Sequence, residues 1–172
     1  MNLYFRLFRV ILAAFFRPRA GLLEETSVTF RVGPGDLDAL WHVNNGKYFS
    51  LMDLGRLDMI IRTGIGRVLR KNRWYPVIAS EGMRFKQSLT LGQQFELRTT
   101  PLGWDDKSFY LRQTFLRGDR VIAVGVIRAR FLSKNGGTVD APEIANAVSP
   151  GAKSPVLPDY VEAWQATEEA LS

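Results

Sequence analysis

The sequence predicts an α+β domain in which one long helix is covered by a curved antiparallel sheet of five or six strands. Three observations predict it. A single helix-period segment, residues 46–62, follows one short β-rich segment. Four consecutive strand patterns joined by tight turns come after it. The helical segment is also apolar over more than a narrow stripe, as suits a helix wrapped by a sheet.

In chain order, residues 1–20 are apolar but interrupted by Arg6 and Arg9. The longest uninterrupted apolar run, residues 10–16, falls well short of the roughly 20 residues a spanning helix needs. No small-residue cleavage site marks a removable leader. On a helical projection Asn2, Arg6, Arg9, Ala13 and Arg17 share one narrow face, apolar side chains fill the rest, and Pro18 stops the helix. Such a helix fits a membrane surface through residues 1–19, its arginine heads at phosphate level. It equally fits docking on its own domain or on a partner subunit, and the sequence leaves both readings open.

Residues 27–32 (SVTFRV) alternate and predict a first strand, ended by Gly33-Pro34-Gly35. A polar loop then runs to about Asn45, the predicted N-cap of the long helix. Within that helix Tyr48, Leu51, Met52, Leu54, Met59 and Ile60 recur at helical spacing, Asp53 and Arg56 stand as an i,i+3 pair, and Gly64 and Gly66 close it. Residues 75–89, 94–104, 108–117 and 120–132 predict four strands. Leu91-Gly92, Asp105-Asp106-Lys107 and Gly118-Asp119 mark the turns between them. The organisation is a helix at 1–20, a domain at 25–134 and a tail at 135–172, with a short helix predicted at 158–170.

Composition narrows the chemistry. The chain has 172 residues, 46% apolar and 23% charged, enough for one folded domain. It holds no cysteine, which excludes disulfides, thiolate metal sites and Cys nucleophiles. Its one histidine, His42, rules out a multi-His metal site, so no metal or redox cofactor is expected. The net charge is +6, and residues 1–20 supply four arginines and no acid. Basicity therefore belongs mostly to one terminal segment, which argues against nucleic-acid binding. A cytoplasmic protein is expected, peripheral to the membrane if the terminal helix binds there.

Chemistry concentrates in Asp36-Leu37-Asp38-Ala39-Leu40-Trp41-His42-Val43-Asn44-Asn45-Gly46-Lys47-Tyr48. Carboxylates, the single His and two amides feed a helix start, where unpaired backbone N–H groups and the positive dipole end can stabilise an oxyanion. A carboxylate beside them can act as nucleophile or activate water. With no Cys and no second His, a carboxylate-centred mechanism is the natural one. The plainer alternative is that Asp38 caps a turn, His42 packs, and Asn44 and Asn45 serve the helix start.

Asp-x-x-x-His-Val-Asn-Asn-x-x-Tyr after a first strand resembles the signature of hotdog-fold acyl-CoA thioesterases, including plant acyl-carrier-protein thioesterases and 4-hydroxybenzoyl-CoA thioesterase-like proteins. The run Gly103-Trp104-Asp105-Asp106-Lys107-Ser108-Phe109-Tyr110-Leu111 is similar to the thioesterase-superfamily-member-six-like branch. The resemblance covers about residues 25–134 and implies a hotdog fold, a homodimer or tetramer, and hydrolysis of an acyl-CoA or acyl-carrier-protein thioester. It makes Asp38 the base or nucleophile, with His42 and Asn44 beside it and the N–H groups of Asn45, Gly46 and Lys47, near Tyr48, polarising the carbonyl. Arg84 and Lys86, with Arg128 and Arg130, become candidates for the nucleotide phosphates. One departure stands out: Leu40 occupies the position of an Asn in the plant enzymes. It motivates the alternative of a non-catalytic acyl-binding or membrane-associated hotdog protein.

Overall fold

The structure, a computed structural model, describes residues 3–170; Asn2 of the predicted arginine face lies outside them, as do residues 1, 171 and 172. In chain order the elements are α1 (Leu3–Phe16), β1 (Thr26–Arg31), α2 (Asn45–Arg62), α3 (Ile65–Asn72), β2 (Trp74–Phe85), β3 (Gln94–Trp104), β4 (Ser108–Arg117), β5 (Arg120–Ser133), β6 (Thr138–Val139), α4 (Ala141–Val148) and α5 (Asp159–Glu169). The strands make one antiparallel sheet in the order β1-β3-β4-β5-β2, with β6 pairing β5. This is the hotdog arrangement expected from the sequence, with α2 held against the sheet.

The core explains why α2 sits there. Tyr48, Leu51, Met52, Leu54 and Met59 are buried along it and share one cluster with Phe30, Leu97, Phe115 and Ile127 of the sheet. The Tyr48 ring meets Phe115 at 4.9 Å and Phe85 at 5.1 Å, both edge to face, a favoured aromatic geometry. The helix comes close to the sheet at Gly55, where a Cβ would lie 2.8 Å from Gln113 Nε2 and 2.9 Å from Leu97 Cδ2. Only glycine lets the helix come this near. Arg56 pairs with Asp53, as the spacing predicts, and also reaches Gln113 (3.1 Å) and Glu81 (3.3 Å).

Several boundaries differ from expectation. The cap of α2 is Asn44 rather than Asn45: its Oδ1 accepts the Gly46 N–H at 2.9 Å. Gly64, at φ 82°, does end α2, but the chain enters α3 at once, burying Ile65 and Leu69. β2 stops at Phe85, not at residue 89, because Lys86 N and Gln87 N both donate to Ile122 O and the ladder breaks there. The tail holds β6 and α4 in addition to the helix predicted at 158–170, which is α5.

Of the two readings left open for α1, the structure shows docking on its own domain. Its Arg6 and Arg17 turn into the domain, while Arg9 stays exposed. Arg6, 3% exposed, donates both Nη atoms to Asp36 at 2.9 and 2.5 Å and also reaches Arg31 O at 2.8 Å. Arg17 donates to Asp58 at 3.1 Å and to Ser27 O at 3.0 Å. Asp58 is fully buried, and burial raises its carboxyl above the ordinary value despite Arg17 and Arg62 beside it. Acids waiting in the domain thus turn the cationic face inward. Helix α1 packs on α2 by that face, with Val10 and Ala14 buried beneath it. No helix among the described residues is long and apolar enough to cross a membrane.

Candidate active site

The segment between β1 and α2 is a pinned loop. A short 3₁₀ turn, Pro34–Asp36, places Asp36 inward, where its Oδ2 accepts the Gly33 N–H and its carbonyl accepts the Asn44 N–H. Val43 N donates to Leu89 O at 2.9 Å, tying the loop to the segment that follows β2. Between these pins, residues 38–42 close a tight turn: Asp38 N bonds His42 O at 2.8 Å, and Trp41 N bonds Asp38 O at 3.1 Å. Trp41 takes the left-handed conformation, φ 61°, costly for a bulky side chain. The Asp38 carboxylate faces outward. Its Oδ1 accepts N–H bonds from Leu40 (2.9 Å) and His42 (3.2 Å), while Oδ2 has no partner among the described residues.

Beside this turn lies a cavity of about 280 Å³ lined by Asp38, His42, Val43, Asn45, Tyr48, Phe85, Lys86, Gln87 and Ser88. It brings together Asp38, His42, Asn45, Tyr48 and Lys86 of the predicted set. Tyr48 forms its floor, and burial pushes its hydroxyl above the ordinary value, against a hydrogen bond with the Leu89 backbone. At the start of α2 the N–H groups are not equivalent. Gly46 N–H goes to the Asn44 cap and Lys47 N–H to Asn44 O at 2.9 Å. The Asn45 N–H has no hydrogen-bond partner among the described residues, and Asn45 lines the cavity.

The other predicted residues stand apart. Asn44 is occupied in capping. Arg84 lines a separate cavity of about 460 Å³ on the outer face of the sheet, with Arg112, Tyr160 and Trp164, and Lys86 lies between the two cavities. Arg128 is committed to Glu168 and Ser108, both at 3.3 Å; Arg130 is half-buried. Sequence reasoning missed Gln87 and Ser88 because they were counted into the strand. The available signal was two successive polar residues breaking its alternation. Among the described residues, no cluster of three His, Asp or Glu side chains is arranged to hold a metal ion.

A family model described as thioesterase-like superfamily matches residues 32–165. The chain belongs to that superfamily. Within it, the chain is 34% identical over 158 residues to Protein THEM6 of Xenopus laevis, covering 90% of this chain and 74% of that one. A gentisyl-coenzyme A thioesterase superimposes with TM-score 0.64 at 25% identity, covering 70% of this chain and 99% of its own. A mutant 4-hydroxybenzoyl CoA thioesterase, solved with 4-hydroxybenzoyl CoA, superimposes with TM-score 0.65 at 17% identity, covering 72% and 97%. The sequence, the hotdog sheet and these relatives agree on a thioesterase-like protein.

Proposed function

We propose that this thioesterase-like protein hydrolyses an acyl-CoA thioester at the cavity beside the start of α2. The observation that carries the proposal is the convergence of Asp38, His42, Asn45, Tyr48 and Lys86 on one cavity. Held by two N–H groups on Oδ1, Asp38 keeps Oδ2 open to water or substrate. As general base it takes a proton from water, whose oxygen adds to the thioester carbonyl carbon. The oxyanion forms against the Asn45 N–H. Collapse breaks the C–S bond and expels the CoA thiolate, which takes the proton from Asp38. The alternative role, direct attack by the carboxylate, uses the same open oxygen. His42 borders the reacting carbon, and Lys86, with Arg84 behind it, offers positive charge to the nucleotide phosphates of CoA or to the phosphopantetheine of a carrier protein.

The reading includes a homodimer formed along β2. That strand ends the sheet and leaves Tyr75, Ile78 and Phe85 each about two-fifths exposed, an edge that soluble proteins ordinarily cover. Phe85 also lines the site cavity, so a partner on this edge would help to wall it. Light scattering should give twice the monomer mass, and a monomer would sink this part.

The test of the chemistry is thiol release from a panel of acyl-CoAs by the wild type and by Asp38→Asn. Asn preserves the acceptor that holds the turn but is a poor base. A loss of at least about 100-fold is expected, within the reach of general-base catalysis. A second reading, acyl binding without turnover, is favoured by the turn-capping bonds of Asp38 and by Leu40, 74% exposed at the plant enzymes' Asn position. It takes over if neither protein releases thiol above background while acyl-CoA still binds in a calorimeter; equal release by both would instead remove Asp38 from the chemistry.

A further inference from the structure

The outward face of α1 carries a row of exposed apolar side chains. Phe5, Phe8, Leu12, Phe15 and Phe16 are 53%, 63%, 49%, 70% and 83% exposed, on a helix whose opposite face is fastened by Arg6 and Arg17. A contiguous apolar patch of this kind marks an interaction surface. The anchoring is what makes it notable. An amphipathic helix free to choose would bury its phenylalanines and leave its arginines in water; here buried acids claim the arginines, and the phenylalanines face out.

The geometry points to an anionic lipid surface as the occupant of this face, with α1 lying in the membrane plane while remaining docked on the domain. Three features favour lipid over a second copy. Aromatic side chains form most of the face, and they suit the boundary between headgroups and acyl chains. Arg9 and Arg19 remain exposed at its borders with no ion-pair partner among the described residues, and Arg9 stands 5.9 Å over the Phe5 ring. No acid occurs in residues 1–20, so two-fold pairing of α1 with itself would set like charges together, whereas an anionic membrane complements them. At 14 residues the helix is about 21 Å long, too short to span but long enough to lie across several lipids.

This inference is independent of the catalytic reading and is tested without substrate. The full chain is co-sedimented with vesicles of phosphatidylcholine alone and of phosphatidylcholine mixed with phosphatidylserine. The comparison proteins are Phe8→Gln/Phe15→Gln and Arg9→Gln/Arg19→Gln, with mass in solution measured by light scattering. The wild type should prefer the anionic vesicles. The phenylalanine variant should bind them at least about 10-fold more weakly and the arginine variant should lose the preference, both at unchanged mass and melting temperature. Absence of vesicle binding by the wild type, or equal binding by the phenylalanine variant, overturns the inference. A fall in mass of the phenylalanine variant overturns it in favour of a second copy covering the face.

Discussion

Asp36 and Asp38 stand two residues apart in one loop and have opposite fates. Asp36 is 4% exposed, holds Arg6 through both oxygens and accepts the Gly33 N–H. Asp38 is exposed, holds only its own turn through one oxygen and leaves the other open beside the cavity. The first carboxylate is saturated by the fold; the second is merely positioned by it. A reacting carboxylate must be held in place yet unspent, and of these two only Asp38 satisfies both conditions. The pair also links the cavity to the exposed face of α1. Asp36 fastens α1 through its side chain and the start of α2 through its carbonyl, so the helix with the exposed aromatic face and the loop with the candidate base share one anchor.

Substitution should separate the two sharply. Asp36→Ala leaves the Arg6 guanidinium buried without its counter-charge, and removing one partner of a buried pair costs about 3–5 kcal/mol. Urea unfolding should show a loss of that size; a loss below about 1 kcal/mol would mean that the clamp is not what seats α1. Arg6→Met combined with Asp36→Leu should recover much of it, because an apolar pair of similar volume removes the unpaired charge. By contrast, Asp38→Asn should leave the urea midpoint nearly unchanged while abolishing turnover. If Asp38→Asn instead destabilises as Asp36→Ala does, its turn-holding role dominates and the catalytic assignment weakens. A smaller effect is expected at the next pin. Asn44→Ala removes the cap of α2 and should cost about 1 kcal/mol, with a further loss of activity if the unpaired Asn45 N–H is the polarising group.

Much of this architecture was legible in the sequence, and the exceptions share a cause. α2 and the strands are long enough for their periods to declare them, and the loop chemistry stood out because residues 36–48 collect so many reactive types. The eight-residue α3 and α4 are too short to show a period. The cap of α2 slipped by one because two adjacent asparagines offer the same chemistry and only backbone geometry selects Asn44. Most telling is α1. Its two faces were visible, but which one meets the protein depended on Asp36 and Asp58, 30 and 41 positions from their arginines. A helical projection sorts residues into faces; it cannot see the acids that one face will meet. For the same reason the motif Asp-x-Asp could not say which aspartate is spent.

A third loop carboxylate sharpens the comparison. Asp105, in the β3–β4 turn, accepts N–H bonds from Lys107 (2.8 Å) and Ser108 (2.7 Å) on Oδ1, much as Asp38 accepts from Leu40 and His42. Its Oδ2, however, is filled by Tyr110 Oη at 2.6 Å and Gln165 at 3.2 Å. Burial alone would raise the Asp105 carboxyl, but Tyr110, the two N–H groups and nearby Arg128 together hold it below the ordinary value. Burial, then the Asp105 hydrogen bond and charge, push the Tyr110 hydroxyl up to about 12. The folded protein therefore keeps the Tyr110 proton over a range where the unfolded chain releases it. Stability from this group is complete below the ordinary tyrosine value of about 10 and is lost as pH rises from there to about 12. Asp105 acts in the reverse sense: its contribution is present above the ordinary carboxylate range and is lost as pH falls through its lowered value. Tyr110→Phe should flatten part of the alkaline decline in melting temperature, leaving the part due to Tyr48, and should also flatten the acid decline, because Asp105 then loses the bond that does most to lower its carboxyl. It should do so without changing thioester turnover, since Tyr110 lies outside the site cavity. An unaltered alkaline slope would show that the Tyr110–Asp105 bond is not held in solution, leaving Gln165 as the sole partner of Asp105 Oδ2.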